Sequence, residues 1–112
     1  MIKTPYQNLE DRWRQMDALA GAQSILHWDM SAMMPSGGAA SRAEQLATLA
    51  TLSHTMLTDP AVPDLLDAAE ADVHLDPWQQ ANVVEMRRAW VHGAAVDADL
   101  VDALSRACPT CE

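Results

Sequence analysis

Residues 25–52 read ILHWDMSAMMPSGGAASRAEQLATLATL, and the fold turns on them. Two helix-forming runs meet here across a single break, Pro35-Ser36-Gly37-Gly38. The first run ends with His27, Trp28 and Asp29 side by side. The second begins near Ala39 and carries Ala43, Leu46, Leu49, Ala50, Leu52, Met56 and Leu57 to about Leu57. Its polar strip, Glu44, Thr48, Thr51 and Thr55, is narrow, so its apolar stripe is wider than one neighbouring helix needs.

Outward from this joint the pattern stays helical. Thr4 caps the first helix and Pro5 takes its first position. Leu9, Trp13, Met16 and Ala20 recur at spacings of three and four, and Glu10 and Arg14 form an i,i+4 pair. Towards its end the same helix carries Ile25, Leu26, Trp28 and Met30 in several directions, which calls for cover on all sides. Thr58-Asp59-Pro60 ends the second helix. A short third helix is expected over about Asp64 to Val73, with Leu65, Leu66, Ala68 and Ala69 as its apolar set. Asp76-Pro77 starts a fourth that runs to about Gly93, with Val83, Met86 and Trp90 on one seam and Val84 and Val91 on another. Asp97 caps a fifth, whose inner face is expected to be Leu100, Val101, Leu104 and Cys108, and Pro109 should stop it.

The expectation is an all-α array of about five helices, residues 1–107 forming one helical domain and 108–112 a tail. Short connections favour antiparallel neighbours, in an open array as readily as in a closed bundle. Composition agrees. The 112 residues are 49% hydrophobic, with four Trp and no Phe, which is enough apolar content for one modest core. A formal charge of −9 repels phosphate backbones, so nucleic-acid partners are not expected. No apolar run reaches the roughly 18 residues that span a bilayer, and the N-terminus has no signal-peptide core. A cytoplasmic location without membrane partners is the expectation.

The chemistry-bearing residues do not assemble. His27 and Asp29 are two apart and diverge on a helix. His54 and His92 have no donor residue at three or four positions. Glu70 and His74 share a face, but as a solvated pair at a helix end. The four histidines are followed by Trp28, Thr55, Leu75 and Gly93, so the His-Glu-x-x-His zinc signature is absent. Cys108 and Cys111 have redox-motif spacing yet follow a helix instead of opening one, and read as part of the tail. There is no nucleophile elbow and no phosphate loop. Arg87-Arg88 reads as surface ion pairing, and Met30, Met33 and Met34 as packing. His27-Trp28-Asp29 has two readings. One is a substrate-facing trio. The other, preferred on spacing, is a buried Trp flanked by polar groups that satisfy their surroundings. No catalytic, cofactor-binding or metal-ligating residue is assigned.

Leu26-His27-Trp28-Asp29, Met34-Pro35, Gly37-Gly38 and Arg42-Ala43-Glu44-Gln45-Leu46-Ala47-Thr48-Leu49, in this order, resemble the N-terminal region of the carboxypeptidase Taq family. So do Leu57-Thr58-Asp59-Pro60, Leu65-Leu66-Asp67-Ala68-Ala69-Glu70, Trp78-Gln79-Gln80-Ala81-Asn82, Glu85-Met86-Arg87-Arg88-Ala89, Asp99-Leu100-Val101 and Ala103-Leu104-Ser105-Arg106-Ala107. The resemblance implies a helical wall of a zinc-type metallocarboxypeptidase, an enzyme that removes C-terminal amino acids from peptides. It implies no metal in this chain: the family's zinc or other divalent ion is held by a His-Glu-x-x-His helix that no position here matches. Departures from the pattern are Met30 in place of a polar residue, Val96-Asp97 in place of Val-Pro, and the ending Cys108-Pro109-Thr110-Cys111-Glu112. That ending reads as a truncated or diverged gene product, or a chain cut by design. The expected partner is a missing catalytic portion or, for a non-enzymatic helical module, a second copy in a homodimer.

Overall fold

The computed structural model describes residues 2–32 and 37–111, and among them there are five helices and no strand: α1 Pro5–Ala32, α2 Ala39–Leu57, α3 Ala61–Glu70, α4 Pro77–Ala94 and α5 Ala98–Cys111. The array is elongated, 54 × 25 × 24 Å, and open, not a closed bundle.

Local chemistry sets the helix starts. Thr4 Oγ1 accepts from the Gln7 N–H while Gln7 Oε1 accepts from the Thr4 N–H, a reciprocal capping box ahead of Pro5. Asp76 and Gln79 repeat the device before α4, with bonds of 2.8 and 2.9 Å and Pro77 in the first turn. Asp97 accepts from the Leu100 N–H at the head of α5. Gly37 sits at φ +92°, a left-handed conformation that favours glycine, which explains why the break carries one. Met33, Met34, Pro35 and Ser36 lie outside the described residues.

Three boundaries differ from the sequence expectation. The third helix starts at Ala61, not Asp64, because Asp59 Oδ1 accepts from the Ala61 N–H and Pro63 falls in the first turn, where a missing N–H costs nothing. It stops at Glu70, short of Val73. The fifth helix runs through Pro109 to Cys111. A proline's own φ is helical, and Pro109 stands only two residues from the helix end, where little helix is left for it to interrupt.

The core joins α1, α3 and α4. Tyr6 and Leu9 of α1, Val62, Leu66 and Ala69 of α3, and Val83 and Met86 of α4 form one buried cluster, with Trp13, Leu65, Leu75 and Trp90 packed on it. The Val83/Met86/Trp90 seam is thus the inner face of α4. Asn82 Nδ2 donates to the Tyr6 hydroxyl at 3.0 Å, so burying the phenol leaves no orphaned polar group. Arg12 ties α1 to the far end of α2, donating to the Met56 carbonyl at 3.1 Å and lying 3.7 Å from Asp59. Arg87 pairs with Asp67 and Glu70 of α3 and lies over Trp90; Arg88 pairs with Glu85. Glu70 therefore serves Arg87 and not His74.

The second half is built on α2, which lies between α1 and α5 and packs most extensively against α5. Its buried residues are Ala43, Leu46 and Ala47. The orientation of α5 differs from the expected one. Leu100 and Leu104 are exposed, while Val101, Asp102 and Ser105 are half-buried. In this orientation Arg106 of α5 pairs with Glu44 of α2 and with Asp102 on its own helix. The Cys108 side chain lies outside the described residues.

Two measurements follow from this architecture. Leu66 is wholly buried, so Leu66→Ala should lower unfolding free energy by about 3 kcal/mol in urea titration, whereas Leu100→Ala on the exposed face should change it by less than about 0.5 kcal/mol. The hydrogen bond from Arg106 holds the Glu44 carboxyl below its ordinary value of 4.5. A lowered folded-state value stabilises above 4.5 and loses that contribution as pH falls through the folded value. Thermal unfolding measured against pH should therefore show a shallower acid limb for Glu44→Gln than for the native chain.

Candidate functional site

The joint between α1 and α2 is where the sequence concentrates its unusual residues. Asp29, near the end of α1, and Arg42, in the first turn of α2, stand about equally far from the intervening break. Antiparallel helices bring such positions to the same level. Arg42 Nη2 donates to Asp29 Oδ2, and Arg42 Nη1 donates to Gln45 Oε1. The side chains of Arg42 and Asp29 are only 19% and 28% exposed. The remaining guanidinium nitrogen, Nε, is buried without a partner. Arg42 thus reaches Asp29 of α1 with one terminal nitrogen and Gln45 of its own helix with the other. Its planar fork presents both donors in fixed directions, which a lysine's ammonium does not.

Beside this lock lies an open groove of about 470 Å³, lined by Leu26, Arg42, Glu44, Gln45, Thr48 and Leu49. The other members of the sequence cluster face outward. His27 is exposed, and Trp28 is 62% exposed. The expected burial of Trp28 is therefore corrected. The reason is geometric: α2 covers one side of the α1 end, and no described element covers the other. Only Asp29 behaves as a polar group satisfied by its surroundings.

The histidines do not converge. His54 is half-buried near the end of α2, in an open groove of about 520 Å³ that also carries Asp59, Trp90 and Asp97. His74 lies between α3 and α4, and His92 is exposed on α4. Among the described residues no three His, Cys, Asp or Glu side chains come together as a metal donor set. Among the described residues no helix is long and apolar enough to cross a membrane. The Asp29–Arg42 lock went unread in the sequence. Its signal is present, however: opposite charges placed symmetrically about a short helix break.

Five helices locked by ion pairs, with grooves open to solvent, define an all-α scaffold. The chain belongs to the carboxypeptidase Taq (M32) metallopeptidase family, whose profile matches residues 8–112. It is 35% identical over 105 residues to thermostable carboxypeptidase 1 of Thermus thermophilus, covering 91% of this chain and 21% of that protein. It is 30% identical over 78 residues to thermostable carboxypeptidase 1 of Pyrococcus furiosus, covering 70% of this chain and 16% of that one. The chain thus spans about a fifth or less of the length of these curated relatives. No solved structure matches it. The metal that the family name implies does not fit these residues: the donor set is missing from the described part, and His-Glu-x-x-His is missing from the whole sequence.

The lock has a measurable energy. It is neither fully exposed nor fully buried, so Asp29→Asn should cost about 1–2 kcal/mol, between the values for surface and buried pairs. Arg42→Lys should recover less than half of the loss measured for Arg42→Met in the same unfolding assay.

Proposed function

We propose that this chain is the N-terminal helical portion of a metallocarboxypeptidase scaffold. It forms part of the wall of a peptide-binding groove and supplies none of the metal ligands. The observation that carries this reading is the family match over residues 8–112, together with the in-order blocks that contain Asp29 and Arg42. Its chemical contribution is positional. The Asp29–Arg42 lock holds two helices at a fixed angle, and a rigid wall excludes water from whatever reacting groups it covers. The groups that would activate water for peptide hydrolysis come from outside these 112 residues.

On its own the chain should neither bind zinc stoichiometrically nor release C-terminal residues from an N-blocked dipeptide, as read by metal analysis and amino-acid release. Metal-dependent release by the purified chain would overturn the proposal. Substituted for the matching N-terminal region of the Thermus thermophilus relative, the chain should preserve that protein's metal-dependent activity. A folded chimera without activity would count equally against it.

A further inference from the structure

A groove of about 370 Å³ runs between α1 and α4, away from the α1–α2 joint. Met86 of the buried cluster and Trp13, which packs on that cluster, line it, so its floor is apolar and firmly held. Its rim carries three carboxylates, Glu10, Asp17 and Glu85, against one guanidinium, Arg14. Two of the three are already answered, Glu10 by Arg14 at 3.4 Å and Glu85 by Arg88 at 2.8 Å. The Asp17 carboxylate has no partner among the described residues. It stands four residues from Trp13, so the two share a face of α1. Beyond it α1 turns apolar on its exposed side, with Ala18, Gly21, Ala22, Ile25 and Trp28.

The molecule itself shows what such a set of groups holds. Further along α4, Arg87 lies 5.4 Å over the Trp90 ring and pairs at 2.6 Å with Asp67 and Glu70. Stacking on an indole while pairing with carboxylates of a neighbouring helix suits a planar guanidinium. The α1/α4 groove offers the same kinds of group, and its own arginine, Arg14, is spent on Glu10 and Asp11. An apolar floor below a carboxylate takes a long basic side chain, stem and head together, better than a small hydrated cation. Length points to a peptide. From Tyr6 to Asp17 the groove follows α1 for about 16 Å at 1.5 Å per residue, which an extended segment of about five residues spans. At the Tyr6 end, Asn82 gives its Nδ2 to the phenol at 3.0 Å and keeps its amide oxygen for a peptide N–H.

We propose that the α1/α4 groove docks an extended segment of a partner protein through one arginine, its guanidinium stacked on Trp13 and paired with Asp17. Charge complementarity carries the choice of occupant. A net charge of −9 draws basic segments towards the chain, and within the groove the one unanswered carboxylate stands beside the one indole. An acidic segment would meet three carboxylates. A purely apolar one would bury Asp17 without a counter-charge. The role is docking: no bond is made or broken, and nothing in it depends on peptide hydrolysis.

Titration of the blocked peptide acetyl-Gly-Gly-Arg-Gly-Gly-amide into the chain, followed by NMR at the indole N–H resonances, tests this. The Trp13 indole should shift with a dissociation constant on the order of 1 mM, while that of Trp78, exposed on α4, should stay in place. Asp17→Lys should weaken binding at least about fivefold. It should leave the far-UV circular dichroism unchanged, because Asp17 is exposed and its carboxylate holds nothing else. Asp64→Lys, at an exposed carboxylate on α3, should change binding by less than about twofold. The same peptide with norleucine in place of arginine should not bind. No shift of Trp13 at about 10 mM peptide would overturn the proposal. So would binding insensitive to Asp17→Lys, or equal binding of the norleucine peptide. Spermidine shifting Trp13 as strongly as the peptide would overturn it in favour of a free cation. The peptide is blocked at both ends, so none of these outcomes bears on release of C-terminal residues.

Discussion

The length of α1 governs the rest of the structure. Its 28 residues make a rod of about 42 Å at 1.5 Å per residue, against a long molecular axis of 54 Å. The other four helices have 10 to 19 residues, and no one of them can cover that rod. The protein solves this by dividing it. The first half of α1 joins α3 and α4 in the buried cluster around Leu9, Leu66 and Val83. The second half leans on α2, which in turn holds α5. Each half needs a long-range tie, and each has one built from arginine: Arg12 to the end of α2, and Arg42 to Asp29.

This division separates what was legible in the sequence from what was not. Helix starts were legible, because capping is a local matter: Thr4-Pro5, Asp76-Pro77 and Asp97 each act within three residues of themselves. The inner seam of α4 was legible because Val83, Met86 and Trp90 meet a complete core. The rotation of α5 was not, because it goes with packing against α2, where the Glu44–Arg106 pair links residues 62 apart, and no periodicity encodes a partner. The exposure of Trp28 was not either. A large aromatic in a helical stripe reads as core wherever a neighbour exists, and here the neighbour is absent from the described chain. Pro109 misled for the opposite reason. A proline breaks a helix interior, but Pro109 stands two residues from the end of α5 and its fixed φ is itself helical.

The candidate site shows the same split. That a helix break divides the joint was legible, because Pro35-Ser36-Gly37-Gly38 is a local signal. That Asp29 and Arg42 form the lock of the α1–α2 joint needed the third dimension. The two halves of the joint are among the blocks that resemble the carboxypeptidase Taq family, and the structure gives them a shared physical task. A half-buried, charge-assisted contact near the break is where the angle between two helices is most economically fixed.

The central claim is that α1 is protected on its inner side by this chain and on its outer side, beyond Ala18, only by something else. Amide hydrogen exchange along α1 tests it most directly. The account predicts slow exchange at residues 5–16, which pack into the buried cluster, and faster exchange at residues 18–32. Equal protection along the whole helix would contradict it.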